Sequence, residues 1–250
     1  MQKVQIGKAA IDNLSWPEAL KKIEEMVESP QPGFIVTPNA DHIVELETNI
    51  TFQNAYQKAG LVLADGMPLL WGAKYLGTPL KAKISGSDLA PVLCKLSGAH
   101  NTSLFFLGAA PGIAEKAAEK MKNEHPDIQF AGCYSPAMGF ENDPDENEKI
   151  IDMINASGAG LVFVAFGAPK QELWMANHFH KLDRAILIGV GATLDFMAGN
   201  VKRAPKIMQN TGTEWLYRLG KEPRRLFLRY LRDFSIFKII WNQKNPSQGA

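Results

Sequence analysis

Cysteine is scarce in this chain, and neither sign of charge has a real surplus. The 250 residues hold 2 cysteines and 27 Lys and Arg against 26 Asp and Glu, a formal net charge of +1. Cys94 and Cys133 stand far apart in apolar surroundings without metal-type spacing. They give no sign of a disulfide framework or a catalytic thiol, and they fit a reducing cytoplasm. Near-neutral charge argues against a global nucleic-acid-binding surface, so no nucleic acid is expected as a partner and any basic surface must be local. Long hydrophobic runs are also missing. No stretch approaches the roughly 18 apolar residues of a spanning helix, and the start, Met1-Gln2-Lys3-Val4-Gln5-Ile6, lacks the apolar core of a signal peptide. A protein that is neither secreted by that route nor threaded through a bilayer is expected. There is no P-loop, and the glycines of residues 108–112 read G-x-x-x-G rather than a dinucleotide fingerprint, which disfavours an ATPase and a nicotinamide cofactor.

What is present is a globular composition, 46% hydrophobic, and a regular alternation. Short β-rich runs recur at Phe34-Ile35-Val36, Leu61-Val62-Leu63, Leu104-Phe105-Phe106-Leu107, Ile128-Gln129-Phe130, Leu161-Val162-Phe163-Val164 and Ala185-Ile186-Leu187-Ile188. Between them, residues 17–27, 39–59, 87–96, 113–123, 146–155 and 169–180 carry apolar side chains at helical spacing. This predicts an α/β fold of Rossmann-like type, a doubly wound, mostly parallel sheet with helices on both faces.

In such sheets the carboxyl ends of the strands open onto the ligand crevice. Asp65 ends the run Leu61-Val62-Leu63-Ala64 and is followed at once by Gly66-Met67-Pro68. Two readings fit it: a carboxylate delivered to the crevice for chemistry, or a cap on the helix expected over 67–75. Thr37-Pro38-Asn39-Ala40-Asp41-His42 offers hydrogen-bonding side chains at another strand exit, with Asn39 also suited to cap a helix. Gln171 and Glu172 stand in the first turn of a helix after Pro169, where a side chain reaches the sheet edge. Of the histidines only His42, beside Asp41, is placed to matter. Asp143-Pro144-Asp145 matches a D-x-D metal pattern superficially, but its acidic setting reads better as a helix N-terminus. No metal is therefore expected.

Composition changes near residue 200. From Lys202 onward basic residues far outnumber Glu214, Glu222 and Asp233, and Arg218, Arg225, Arg229 and Arg232 would form one cationic stripe on a continuous helix. Glu222-Pro223 favours starting a fresh helix instead. Leu226, Phe227, Leu231, Phe234, Phe237 and Trp241 add an apolar complement. Such a segment suits an anionic membrane surface, a core, or a sister chain in a homo-oligomer. The expected organisation is a core over residues 1–200 with a helical basic appendage over 201–250.

Several motifs, in order along nearly the whole chain, resemble the WecG/TagA/CpsF family of bacterial glycosyltransferases. They are Thr37-Pro38-Asn39-Ala40-Asp41, Ala64-Asp65-Gly66-Met67-Pro68, Gly86-Ser87-Asp88-Leu89, Gly167-Ala168-Pro169-Lys170-Gln171-Glu172, Gly189-Val190-Gly191-Ala192, Lys202-Arg203-Ala204-Pro205, and Glu214-Trp215-Leu216-Tyr217-Arg218-Leu219 with Glu222-Pro223-Arg224-Arg225-Leu226. The resemblance implies an inverting, metal-independent transfer of N-acetylmannosamine, or a related sugar, from UDP to a polyprenyl-diphosphate-linked N-acetylglucosamine at the inner face of the cell membrane. In some members this step primes teichoic acid linkage units. No cofactor is implied, since the UDP-sugar is a substrate. By the same resemblance Asp65 is the general base, Thr37, Asn39, Gln171 and Asp195 line the pocket, and Arg218, Arg225 and Arg229 close over the diphosphate. Lys83 stands where the family has an arginine, and a lysine keeps the charge without the bidentate geometry. The competing reading is a non-catalytic nucleotide-sugar or polyprenyl-phosphate binding protein, with Asp65 a cap and the tail an anchor.

Overall fold

A computed structural model describes residues 2–246, without the side chains of Asn210 and Arg225. The chain opens with a hairpin, β1 (Lys3–Ile6) and β2 (Ala9–Asp12), and continues through α1 (Trp16–Glu28), β3 (Gly33–Val36), α2 (Ala40–Thr48), α3 (Ile50–Lys58), β4 (Leu61–Val62) and α4 (Met67–Tyr75). Next come α5 (Gly86–Ala99), β5 (Leu104–Gly108), α6 (Ile113–Glu124), β6 (Phe130–Tyr134), α7 (Pro144–Ser157), β7 (Leu161–Ala165), α8 (Lys170–His178), β8 (Ile186–Gly189) and α9 (Thr193–Met197). The tail holds α10 (Lys206–Thr211), α11 (Glu214–Lys221), α12 (Pro223–Asp233) and α13 (Ser235–Lys244). Strands β3 to β8 form one sheet in the order β4-β3-β8-β7-β5-β6, parallel at every pairing.

Strand side chains alternate between two apolar clusters, because successive residues of a strand point to opposite faces. Phe34, Val36, Val62, Val162 and Val164 pack with Ile43, Phe52, Ile150 and Trp174 on one face. Ile35, Leu61, Phe163 and Ile188 pack with Ile23, Leu93, Ala117 and Leu194 on the other. The doubly wound α/β reading therefore holds.

Three local expectations need correction. The helix expected over 39–59 is two helices, because Asn49 leaves helical geometry and accepts from the Phe52 amide as the cap of α3. Ile128 and Gln129 precede the sheet, and β6 begins at Phe130. The hairpin at the start was not anticipated. Its turn places Gly7 at φ +54°, a left-handed backbone that favours glycine.

The tail folds back onto the core. Ile236 and Ile240 of α13 are buried within the first apolar cluster. Gln243 accepts from the Gly7 amide at 2.9 Å and donates to Gln5 O at 2.9 Å, and Lys244 donates to Tyr75 O at 2.5 Å. A break between α11 and α12 at Glu222 puts Arg218 on a different helix from Arg229 and Arg232, so no single arginine stripe forms.

Candidate active site

Because the sheet is parallel, the exits of β3, β4, β7 and β8 share one edge. Hydrogen bonding continues past β4: Leu63 N donates to Val36 O at 2.9 Å, Asp65 N to Pro38 O at 2.8 Å, and Ile84 N to Ala64 O at 2.8 Å. Asp65 is thereby held between the Thr37 loop and the segment that leads into α5. The cap of α4 is Gly66, at φ +108°, without a side-chain cap bond. The Asp65 carboxylate consequently does not cap the helix that follows it.

Charged groups from three other segments surround it. Lys83 Nζ lies 3.2 Å from Asp88 Oδ2, and Arg203 Nη1 lies 2.7 Å from Asp88 Oδ1. Arg203 Nε is 3.5 Å from Glu214 Oε1 in the first turn of α11. Ser85 Oγ donates to Asp88 Oδ2 at 2.6 Å and also caps α5. Burial pushes the Asp65 carboxyl up to about 7; Lys83 and Arg203 pull it down, while Glu214 and Asp88 push with burial. Asp88 goes the other way. Burial raises it too, but the bonds from Arg203 and Ser85 hold it below the usual carboxylate range.

A second charged cluster lies where α12 crosses α2. Arg229 Nη2 is 2.5 Å from Asp41 Oδ2, Arg232 also pairs with Asp41, and Arg232 Nη1 is 3.5 Å from Glu45 Oε2. Burial raises Asp41, but Arg229, His42 and Arg232 outweigh it and hold the carboxyl low. These residues, with His42, Phe52, Pro169 and Leu228, line a cavity of about 410 Å³. Behind it runs a buried polar chain. Tyr56 Oη is 2.9 Å from His42 Nδ1, His42 Nε2 is 4.0 Å from Glu172 Oε1, and Gln171 Nε2 donates to that same oxygen at 2.7 Å.

The other residues expected at the site fall as follows. Thr37 is buried, with Oγ1 donating to Gly189 O at 3.4 Å. Gln171 Oε1 accepts from Gly191 N at 3.1 Å, so Thr37 and Gln171 brace the same turn after β8. The approach is close at Gly189, where a Cβ would stand 2.9 Å from Gln171 Nε2. Asn39 caps α2, accepting from His42 N at 3.3 Å. Asp195, on α9, accepts from Asn200 Nδ2 at 3.2 Å. Arg218 makes no ion pair among the described residues, Arg229 is engaged by Asp41 rather than open to a diphosphate, and the Arg225 side chain lies outside the described residues. Asp143 caps α7, accepting from Asp145 N and Glu146 N. Among the described residues no group of three His, Cys, Asp or Glu is placed to hold a metal. Burial pushes both thiols up, Cys133 to about 11, which keeps them protonated at neutral pH.

Arg203 and Glu214 were missed as site residues. Both stand inside motifs singled out above, but their partners lie far away in sequence, Arg203 and Asp88 being 115 residues apart.

Comparison with known proteins gives the family. A relative from Bacillus spizizenii, an N-acetylglucosaminyldiphosphoundecaprenol N-acetyl-beta-D-mannosaminyltransferase, is 35% identical over 193 residues, 77% of this chain and 73% of its own length. The model of the Glycosyl transferase WecG/TagA/CpsF family matches residues 4–249. Matched over nearly its whole length by this model, the chain, with its parallel sheet wound by helices on both faces, belongs to the WecG/TagA/CpsF family of glycosyl transferases.

Proposed function

We propose that this enzyme transfers N-acetylmannosamine, or a closely related sugar, from a UDP-sugar to N-acetylglucosamine carried on undecaprenyl diphosphate, a step of teichoic acid or related surface-polymer synthesis. Asp65 carries the reading. Its carboxyl, pushed to about 7, is matched to taking a proton near neutral pH, the condition for an efficient general base. The acceptor hydroxyl gives its proton to Asp65 as its oxygen attacks the anomeric carbon, and the bond to UDP breaks with inversion. Thr37, Asn39, Gln171 and Asp195, at the strand exits, are assigned to the donor side of the crevice. Lys83 and Arg203 stand closest in charge to the base, and Arg218 and Arg225 are the tail arginines assigned to the departing diphosphate.

The tail also supplies a surface for the lipid. Phe227, Leu228, Leu231, Phe234, Phe237 and Trp241 are 45–73% exposed, beside exposed Arg224, Lys238 and Lys244. Exposed apolar and basic residues thus alternate along α12 and α13. That combination favours the interface of an anionic membrane. No described helix is long and apolar enough to cross a bilayer, so attachment at the inner face would be peripheral. The alternative of a non-catalytic binding protein has no observation in its favour, since family and relative are both transferases.

The test is product analysis with the full chain, a synthetic polyprenyl-diphosphate N-acetylglucosamine and a panel of UDP-sugars. The expected result is consumption of one UDP-N-acetylhexosamine, release of UDP, and a lipid-linked disaccharide with inverted anomeric configuration. Binding of UDP-sugars without transfer from any of them would overturn the proposal.

A further inference from the structure

Glu214 opens α11, yet it lies against a charged group that otherwise belongs to the core. We propose that Arg203 and Glu214 are positioning residues for the transfer, an ion pair that docks the tail's α11 at Asp65 and presents opposite charges to its carboxylate. The inference rests on Asp65 being the base.

Geometry carries the first half. Arg203 reaches two segments at once: Nη1 bonds Asp88 Oδ1 at 2.7 Å and Ser87 O at 3.3 Å at the start of α5, and Nε faces Glu214 Oε1 at 3.5 Å. The Arg203 side chain is 20% exposed and that of Glu214 26%, so water screens the pair only in part. Arg203 Nε is buried without a hydrogen bond. The tie to Glu214 is therefore electrostatic rather than a closed hydrogen bond, which makes the docking of α11 sensitive to either charge. Surrounding groups are consistent with this role. Gly86 of α5 packs so closely on the turn after β8 that a Cβ would lie 3.2 Å from Gly189 O, which leaves α5 little freedom to follow Arg203 if the tail shifts.

Charge carries the second half. The titratable and charged groups that act on Asp65 through space are Tyr56 from α3, Lys83 and Asp88 at the start of α5, Arg203 after α9 and Glu214 from α11. Removing the Arg203 charge should raise the affinity of Asp65 for its proton, and removing the Glu214 charge should lower it. A purely structural pair would move both variants the same way, through common loosening of α11.

The experiment titrates the Asp65 carboxyl by carbon-13 NMR in the full chain, assigned by its loss in Asp65→Asn, and measures kcat/KM against pH with a soluble acceptor. Arg203→Met is expected to raise the Asp65 midpoint by about half a unit, lowering kcat/KM near pH 6 by about threefold relative to its plateau. Glu214→Gln is expected to lower the midpoint by about half a unit, raising the same quantity by about threefold. Arg203→Lys, which keeps the charge, should leave the midpoint near that of the unaltered chain as a control, and Arg203→Gln takes the place of Arg203→Met if that variant does not fold. NMR midpoints that do not move, or that move together, overturn the proposal. Opposite NMR shifts with an unmoved rate profile would uphold the ion pair and instead refute Asp65 as the base.

Discussion

Two aspartates follow neighbouring parallel strands, and their surroundings drive them apart. Asp41, after β3, pairs directly with both Arg229 and Arg232, although Arg232 also reaches Glu45 and Asp233. Asp65, after β4, has Lys83 and Arg203 close by, but both cations already serve Asp88, and Arg203 also faces Glu214. Three carboxylates there share two cations, so one carboxylate is in surplus. The surplus falls on Asp65, which has no ion pair among the described residues and rises to about 7, whereas Asp41 is held low despite its burial. Divergent environments for like groups mark acid and base roles. This comparison supports our assignment of Asp65 to the chemistry and of Asp41 to the docking of the tail.

The largest effect should come from removing the base. Asp65→Asn is expected to lower transfer by about two or more powers of ten while UDP binding, followed by calorimetry, changes little. Near-normal transfer would erase the distinction between the two aspartates. Asp41→Asn should act on stability instead. It leaves two arginines without their carboxylate, and because those arginines are 36% and 50% exposed the loss should be about 1–2 kcal/mol in urea denaturation rather than the larger cost of a fully buried pair.

Dependence on pH sharpens the contrast. Asp65 has a folded-state pKa above its unfolded value, so its contribution to stability is intact below pH about 4 and is lost as pH rises through about 7. Asp41 has a folded-state pKa below its unfolded value, so its contribution is present above pH about 4 and is lost as pH falls through the folded value. Thermal melts should therefore show Asp65→Asn more stable than the unaltered chain at pH about 8 and level with it near pH 4. Asp41→Asn should show its greatest deficit at pH about 8. The smallest effect concerns the exposed side of α12. Leu231→Ser combined with Phe227→Ser should reduce binding to anionic vesicles by about fivefold while turnover of a soluble acceptor persists.

Much of this arrangement was legible in the chain itself. Strands and helices alternate in the sequence because apolar periodicity reports burial directly, and the exit of Asp65 followed from Gly66-Met67-Pro68 stopping the strand. The hairpin of β1 and β2 escaped notice because each strand is four residues long, too short for alternation to stand out. The break at Asn49 was hidden by helical spacing that resumes beyond it. Ion pairs were least legible. The arginines of the tail were visible as charge, but that Arg229 and Arg232 would meet Asp41, and Arg203 would meet Asp88, depends on how distant segments cross the sheet edge. The site residues drawn from family resemblance were named without their neighbours, and the neighbours decide what Asp65 can do.

The most direct test of Asp65 as the general base is the pH dependence of kcat/KM for the full chain with a soluble acceptor, measured from about pH 5 to pH 9. The account predicts a single ascending limb with its midpoint near the value of about 7 given by the surroundings of Asp65, level above it and abolished by Asp65→Asn. A profile flat across that range, or a limb centred near the ordinary carboxylate value of about 4, would contradict it.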